Sequence, residues 1–194
     1  MESIAIGFLG CGNIGCGVYR LLEEHGKALA QNEGLSFEVR KILVRDTGKA
    51  RGAAIPAGLL TDRADDVLGD PQISIVMEFM GGEEPASSYM IHALRSGKTV
   101  VTANKMALAS HWTQITAAAK ESGSGLYYEA SVCGAIPIIR AINDSLQANR
   151  VTSVMGIING TTNYILSRMS REGASASTAH GAGRAGPHGG CRGL

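Results

Sequence analysis

Residues 4–17 of the chain read IAIGFLGCGNIGCG. A short apolar run leads directly into Gly10-x-Gly12-x-x-Gly15, and an amphipathic helical pattern follows. In a strand–turn–helix unit, the first glycine of this spacing permits a tight turn, the second lets the backbone approach a pyrophosphate, and the third lets the helix pack closely on the strand. The start of the helix also presents free N–H groups to the phosphates. Because the glycines stand between a strand pattern and a helix pattern, they predict a nucleotide-binding turn. A purely structural glycine turn is the alternative.

Composition limits the classes of partner. The 194 residues suffice for one domain and part of a second, and a hydrophobic content of 44% allows a sizeable core. The net charge of +1 gives no electrostatic reason to expect a nucleic acid or a membrane surface as partner. No apolar run approaches the roughly 20 residues of a membrane span, and no secretory leader precedes the first strand pattern. We therefore expect a soluble, cytoplasmic protein.

The four cysteines are Cys11, Cys16, Cys133 and Cys191. They are far apart or at spacings unlike those of a zinc site, so we interpret them as reduced thiols. For Cys11 and Cys16, metal ligation is an alternative. Their position inside the glycine turn favours a simpler role as small side chains that fill space.

Strand and helix patterns alternate along the rest of the chain. Apolar strand patterns occupy residues 37–44, 73–80, 98–102, 126–132 and 151–158. The first helix is expected to bury its apolar residues at helical spacing, namely Val18, Leu21, Leu22, Ala28 and Leu29. This alternation predicts an α/β fold, a Rossmann-type doubly wound parallel sheet with right-handed crossovers.

The residues that follow the predicted strands indicate a choice of cofactor. In this type of fold, the residue after the second strand meets the adenosine ribose, where an acid favours NAD and an arginine favours NADP. This chain has Arg45 and Asp46 side by side, with Lys49 and Arg51 just beyond. The three basic residues favour NADP, with NAD as the alternative, although Lys49 and Arg51 also suit a solvated turn.

Residues 174–194 differ in kind from what precedes them. They contain no Val, Ile, Phe or Met, and their only Leu is the last residue. Such a segment buries too little apolar surface to offset its ordering entropy, so we expect disorder. The abrupt change suggests a truncation or a change of reading frame after about residue 173, with a natural flexible tail as the alternative.

Five stretches, in this order, resemble the homoserine dehydrogenase family: GCGNIGCGV at 10–18, GGEEPA at 81–86, VTANK at 101–105, YEASVCGAIPII at 128–139 and GIINGTTNYIL at 156–166. The resemblance runs from about residue 4 to about residue 173. It implies NAD(P)H-dependent reduction of L-aspartate 4-semialdehyde to L-homoserine, for threonine and methionine biosynthesis, by an enzyme that is a homodimer at full length. It also implies an NAD(P)-binding domain at residues 1–150 and only the start of an α+β substrate and dimerisation domain at 151–173, before the atypical tail.

The resemblance assigns site residues. Lys105 is implied to be catalytic, since the alkoxide that forms when hydride reaches an aldehyde needs a proton and a nearby positive charge. The implied sodium site combines Glu129 with the backbone carbonyls of Val132, Gly134 and Ile136; the family usually has glycine where Ala135 stands. The implied cofactor-binding residues are Gly10, Cys11, Gly12, Asn13, Ile14, Gly15, Arg45, Gly81, Gly82 and Lys105.

One departure from the family concerns the substrate. The family carries a Gly-Tyr-Ala-Glu-Ala-Asp-Pro-like segment followed by further Asp and Lys residues, whereas the residues after Gly173 contain no Asp, Glu or Lys. The alternative to an active enzyme is therefore a catalytically inactive NAD(P)-binding fragment or a Rossmann module that binds a partner.

Overall fold

A computed structural model describes residues 2–134, 136–156 and 160–178. The chain divides into two compact units, Met1–Gly134 and Ala135–Leu194. The boundary between the compact units thus lies after residue 134. The domain boundaries predicted at residues 150 and 173 stay predictions. Within the described ranges, no helix combines the length and the apolar character needed to cross a membrane.

The first unit is built on a six-stranded sheet in which every neighbouring pair of strands is parallel. The strand order is β3-β2-β1-β4-β5-β6, so the chain first winds outward from β1 in one direction and then crosses to the other side. This confirms the predicted doubly wound α/β fold. The strands are β1 (Glu2–Leu9), β2 (Leu35–Leu43), β3 (Leu60–Thr61), β4 (Ile73–Glu78), β5 (Thr99–Thr102) and β6 (Leu126–Tyr127). In such a sheet, ligands bind beyond the carboxyl ends of the two strands where the order reverses, here β1 and β4.

Helices connect the strands. Those of the first unit are α1 (Asn13–Glu33), α2 (Asp65–Leu68), α3 (Ala86–Arg95) and α4 (Lys105–Ser122), with short 3-10 helices at Ala57–Leu59 and Glu129–Ser131. The second unit contains α5 (Ile138–Arg140), a π-helical turn at Ala141–Ser145 and α6 (Gly160–Glu172).

The core of the first unit covers both faces of the sheet. Leu9 belongs to the cluster that β4, β5, α3 and α4 share, whereas its neighbour Phe8 belongs to the cluster on the other face. Phe8 also packs edge-to-face on Phe79, with ring centroids 5.4 Å apart. Each fully buried large apolar side chain contributes about 1.5–3 kcal/mol. Burial on both faces explains why the strands read as nearly continuous apolar runs.

The predicted buried face of α1 was partly wrong. Leu21, Ala28 and Leu29 are exposed, and the helix instead buries Gly15, Cys16, Tyr19 and Ala30, with Val18 and Leu22 half-buried. The close contact of Gly15 with the glycine turn sets the rotation of the helix. Tertiary packing therefore outweighs the pattern of the largest apolar side chains.

Two predicted strands also differ. The strand expected at 126–132 ends at Tyr127, because the chain turns into the 3-10 helix at 129–131, where the Ser131 hydroxyl donates to the Thr102 carbonyl at 2.9 Å. Of the strand expected at 151–158, residues 151–156 have no strand structure, and residues 157 and 158 lie outside the described residues.

The tail is described only as far as residue 178. Residues 176–178 are helical, and the Ser175 hydroxyl accepts a hydrogen bond from the Thr178 N–H at 3.2 Å. The rest of the predicted disordered segment, residues 179–194, lies outside the described residues, so that disorder stays a prediction.

Candidate functional site

The turn after β1 is tight, and Gly10 and Gly15 leave no room there for a side chain. Gly10 has a φ of +94°, and a Cβ placed on it would lie 3.0 Å from backbone atoms of Met80. A Cβ on Gly15 would lie 2.8 Å from the Gly10 carbonyl oxygen. The chain leaving β1 therefore passes directly against the chain leaving β4, and α1 packs directly on the turn.

The N-terminus of α1 has no side-chain cap. Gly12 is the N-cap residue, no acidic residue occupies the first turn, and the Cys16 N–H makes the first helical bond, to the Gly12 carbonyl at 2.9 Å. The N–H groups of the first turn have no acceptor within the helix itself. A helix of 21 residues also places the positive end of its dipole here. These groups suit an anionic ligand.

A cavity of about 870 Å³ opens in front of this turn. This volume is in the range of small-molecule and cofactor sites. The lining comes from the end of β2, from the loops after β1, β2, β3 and β4, from α1, and from α3 and the residue before it. It includes Gly10, Cys11, Gly12, Asn13, Cys16, Val44, Arg45, Asp46, Lys49, Arg51, Phe79, Met80, Pro85 and Tyr89. The cavity therefore lies at the carboxyl edge of the sheet, where the strand order reverses.

The loop after β2 gives one side of the cavity a positive charge. The Arg51 guanidinium donates to the Lys49 carbonyl at 2.7 Å and to the Asp46 carbonyl, so that Arg51 shapes its own loop. The Asp46 carboxylate accepts the Gly48 N–H at 2.8 Å. Carbonyl oxygens carry no full charge to offset that of Arg51. Among the residues of this loop that line the cavity, three are basic and Asp46 is the one acid, so the loop is net positive there.

A buried carboxylate joins the elements beside this cavity. Glu78, the last residue of β4, is fully buried and accepts hydrogen bonds from the Met80 N–H at 2.7 Å, the Thr102 hydroxyl at 2.6 Å and the Asn104 side-chain amide at 3.3 Å. A buried carboxylate needs such partners, since burial without them costs several kcal/mol. Glu78 thus links the loop after β4 to β5 and to the start of α4.

Asn104 continues this network towards Lys105. Its side-chain amide also donates to the Gly82 carbonyl at 2.8 Å, and its side-chain oxygen accepts the Ala107 N–H at 3.1 Å, which caps α4. Lys105 is the first residue of α4 and is exposed. Gly82 and Lys105 are therefore held at the same edge of the sheet by one shared side chain.

The predicted site residues occupy distinct places. Gly10, Cys11, Gly12, Asn13 and Arg45 line the cavity, and Ile14 is half-exposed in the first turn of α1. Gly15 lies beneath the turn, while Gly81, Gly82 and Lys105 lie at the carboxyl edge but outside the described lining. Their roles in cofactor binding and catalysis stay predictions.

The sequence prediction missed Glu78 and Thr102. The sequence analysis describes residues 73–80 as an apolar strand pattern, although Glu78 lies within it. An acidic residue in a strand that is otherwise buried needs polar partners, and that requirement was the available signal.

The predicted sodium ligands fall on both compact units. Glu129 begins the 3-10 helix after β6, and backbone φ is positive at both Cys133 (56°) and Gly134 (62°). Such a sharp turn can make successive carbonyls converge, and carboxylate and carbonyl oxygens suit a hard cation. Val132 and Gly134 belong to the first unit and Ile136 to the second. In the described part of the chain, no group of three or more His, Cys, Asp or Glu side chains is placed to hold a metal ion. A site made mainly of carbonyls is of another type, and it stays a prediction.

Two family models match the chain. The model described as "Homoserine dehydrogenase, NAD binding domain" matches residues 10–129, and the one described as "Homoserine dehydrogenase" matches residues 137–186. The second match extends to residue 186, and the truncation or change of reading frame expected after about residue 173 stays a prediction.

Curated relatives and solved structures agree with these matches. The chain is 42% identical to the homoserine dehydrogenase of Bacillus subtilis over 172 residues, which are 89% of this chain and 40% of that protein. It is 42% identical over 178 residues to that of Mycobacterium tuberculosis H37Rv, covering 92% and 40%. The structure of a homoserine dehydrogenase from Thiobacillus denitrificans matches with a TM-score of 0.83 and 40% identity, covering 95% of this chain and 43% of that one. A structure of the S. aureus enzyme at pH 6.0 gives a TM-score of 0.77 at 36% identity, covering 95% and 46%. The chain spans about 40% of the length of the curated relatives it matches.

Proposed function

This chain belongs to the homoserine dehydrogenase family, and we propose that it binds a nicotinamide dinucleotide in the cavity beside β1 and β4. The reaction served is the NAD(P)H-dependent reduction of L-aspartate 4-semialdehyde to L-homoserine, in the cytoplasm, for threonine and methionine biosynthesis. The observation that carries the proposal is the uncapped N-terminus of α1, which faces a cavity of suitable size whose far side is basic.

The glycine turn supports a phosphate position. A Cβ placed on Gly12 would meet no atom of the chain within 4 Å, so the space in front of this residue is open. A pyrophosphate there would accept hydrogen bonds from the first-turn N–H groups of α1 and gain from the helix dipole. Gly12 then acts by allowing close approach of the ligand, unlike Gly10 and Gly15, which are required by the chain itself.

The loop after β2 favours NADP over NAD. Arg45, Asp46, Lys49 and Arg51 all line the cavity, so its basic residues in this loop outnumber its one acid, and the Asp46 carboxylate also accepts a hydrogen bond within the loop. An arginine beside the ribose accommodates a 2′-phosphate, while an acid there selects the 2′-hydroxyl of NAD. The balance of charge therefore favours NADP as the cofactor, with NAD as the alternative.

Lys105 is the proposed catalytic residue. A bound nicotinamide would supply a hydride to the aldehyde carbon, and the aldehyde oxygen would then carry negative charge. The Lys105 ammonium stabilises that charge and delivers a proton to the oxygen. The Asn104 cap fixes the start of α4, so it also fixes the backbone from which Lys105 extends.

The test is NADPH oxidation by the purified chain with L-aspartate 4-semialdehyde, compared with Lys105→Ala and with NADPH binding measured separately. The proposal expects oxidation that depends on the aldehyde and falls at least about 100-fold in Lys105→Ala. Oxidation that ignores the aldehyde or the substitution would overturn the role of Lys105. Binding of NADPH without turnover would instead identify the chain as a catalytically inactive binding fragment.

The proposed assembly is a homodimer. Three apolar residues of the second unit, Val151, Val154 and Met155, have exposed fractions of 48%, 73% and 100%. Clustered apolar exposure of this kind is typical of an interaction surface. Sedimentation equilibrium checks the proposal: a mass of twice 20.2 kDa is expected for the chain, and a monomer at all concentrations contradicts it.

A further inference from the structure

Two thiols meet in the glycine turn. The Sγ atoms of Cys11 and Cys16 lie 3.4 Å apart, and Cys16 Sγ also lies 3.6 Å from the Cys11 carbonyl oxygen, to which it donates. Both are free thiols. Cys11 precedes the N-cap residue Gly12, and Cys16 is the fourth residue of α1. Apolar residues at these two positions often pack together and fix the angle at which the chain enters a helix.

This pair differs from an apolar pair because it can be oxidised. A disulfide has an S–S distance of about 2.05 Å, so the two sulfurs need to approach by roughly 1.4 Å. Both cysteines line the cavity, but Cys16 is 5% exposed and lies in the helix, whereas Cys11 is half-buried and lies outside any helix or strand. The approach therefore falls mainly on Cys11 and its turn, which is the part of the site that faces a ligand.

The surroundings of Cys11 slow its reaction with an oxidant. Burial, followed by the hydrogen bond and the charge of Cys16, raises the pKa of Cys11 to about 12, against a smaller opposing effect of Arg51. A protonated thiol is a poor nucleophile, so attack on a peroxide is slower than for an exposed cysteine. Once one thiol is oxidised, the other is already in contact and completes the bond.

We propose that Cys11 and Cys16 form an oxidisable dithiol that a peroxide closes to a disulfide across the turn, and that the closed form binds a nicotinamide dinucleotide more weakly. The binding half of this inference rests on the proposed function. One thiol loses its proton and attacks a peroxide oxygen, which gives a sulfenic acid, and the released hydroxide takes up that proton to form water. The second thiol then displaces the hydroxyl group, which leaves as a second water. Overall, two thiols lose two electrons and two protons, and hydrogen peroxide is reduced to two waters.

We expect a bound dinucleotide to disfavour the disulfide, and the disulfide to weaken dinucleotide binding. Cys11 and Gly12 line the cavity in adjacent positions, so a pull of Cys11 towards α1 moves the backbone that would face a pyrophosphate. If the disulfide weakens dinucleotide binding, a bound dinucleotide must disfavour the disulfide by the same factor, because the two equilibria are linked.

The experiment treats the purified chain with hydrogen peroxide, alkylates the remaining thiols and maps disulfides by peptide mass spectrometry without reduction. NADPH affinity is measured before and after treatment. We expect a Cys11–Cys16 disulfide, a mass lower by about 2 Da, and an NADPH affinity at least fivefold weaker that dithiothreitol restores. NADPH added beforehand is expected to slow the reaction.

Two variants distinguish the effect of the Cys11–Cys16 disulfide from that of oxidation elsewhere in the chain. In Cys16→Ser the ratio of affinities before and after peroxide should be about one, whatever the starting affinity, whereas in Cys133→Ser it should match the unmodified chain. A disulfide that leaves the NADPH affinity within twofold overturns the inference, as does peroxide treatment that yields only separate oxidised thiols. If the reduced chain does not bind NADPH, the proposed function fails and the binding half fails with it. The mass measurement tests disulfide formation independently of NADPH binding.

Discussion

Replacing Glu78 by Gln is expected to lower the free energy of unfolding by about 2–4 kcal/mol. The substitution keeps the size of the side chain and one acceptor oxygen. That oxygen can retain the hydrogen bonds from Met80 and Asn104, but the new amide group replaces the oxygen that accepts from the Thr102 hydroxyl. The variant therefore removes the acceptor of the Thr102 hydroxyl proton from a fully buried network and makes the other two hydrogen bonds neutral.

The magnitude follows from these three bonds. A hydrogen bond to a charged group contributes about 1.5–3 kcal/mol, and one between neutral groups about 0.5–1.5 kcal/mol. The lost bond therefore costs about 1.5–3 kcal/mol and the two weakened bonds about 1 kcal/mol each. Relief from the burial of a charge offsets part of this loss, which leaves the net range of about 2–4 kcal/mol.

Urea unfolding followed by tryptophan fluorescence measures the effect. The single tryptophan, Trp112, lies in α4 and packs edge-to-face on Tyr128, with ring centroids 5.2 Å apart, so its signal reports the element that the network holds. Glu38→Gln, at an exposed position of β2, is the matched control and should stay within about 0.5 kcal/mol of the unmodified chain. If Glu78→Gln is no less stable than this control, the reasoning about the network is refuted.

Two further predictions concern stability. Gly10→Ala should lower the free energy of unfolding by about 2 kcal/mol or more, since its φ is +94° and its Cβ would lie 3.0 Å from backbone. Gly17→Ala, at an open position of α1, should raise the free energy of unfolding by about 0.5–1 kcal/mol. Thermal unfolding measures both variants, and midpoints that shift in the same direction by similar amounts contradict the argument. Asp70→Asn should make the free energy of unfolding fall less steeply as the pH is lowered. The hydrogen bond from the Gln72 N–H holds the pKa of Asp70 below its ordinary value of 3.8, and the hydrogen bond and charge of Arg40 add smaller effects in the same direction. That stability is present above pH 3.8 and is lost as the pH falls through the lowered pKa. Urea titrations from pH 7 to pH 3 test it, with exposed Asp62→Asn as control, and equal profiles for the two variants count against it.

The order of strands and helices could be predicted because local patterns determine it. The glycine turn, for instance, is recognisable from residues that are adjacent in sequence, and the buried face of α3 follows helical spacing. The rotation of α1 could not be predicted in this way, since it depends on how Gly15 meets the turn. The two-residue strand β3 was missed because so short a strand has no period to detect.

The candidate site shows the same division. Arg45 and the glycine turn could be located in advance, because each follows a recognisable strand directly. The network around Glu78 could not be predicted, since its hydrogen bonds join positions 24 and 26 residues apart in the sequence. Contacts of that separation exist only once the parallel sheet has brought the ends of β4 and β5 together.

The most direct test of the central claim is calorimetric titration of NADPH into the purified chain and into Gly12→Ala. Because a Cβ on Gly12 would meet no atom of the chain within 4 Å, the substitution should lower the free energy of unfolding by no more than about 1 kcal/mol. The same Cβ would stand where the pyrophosphate is proposed to approach. We expect the chain to bind NADPH and Gly12→Ala to bind it at least tenfold more weakly. Equal affinity in the two proteins, or a folded chain that does not bind NADPH, would contradict the assignment of this turn as the dinucleotide site.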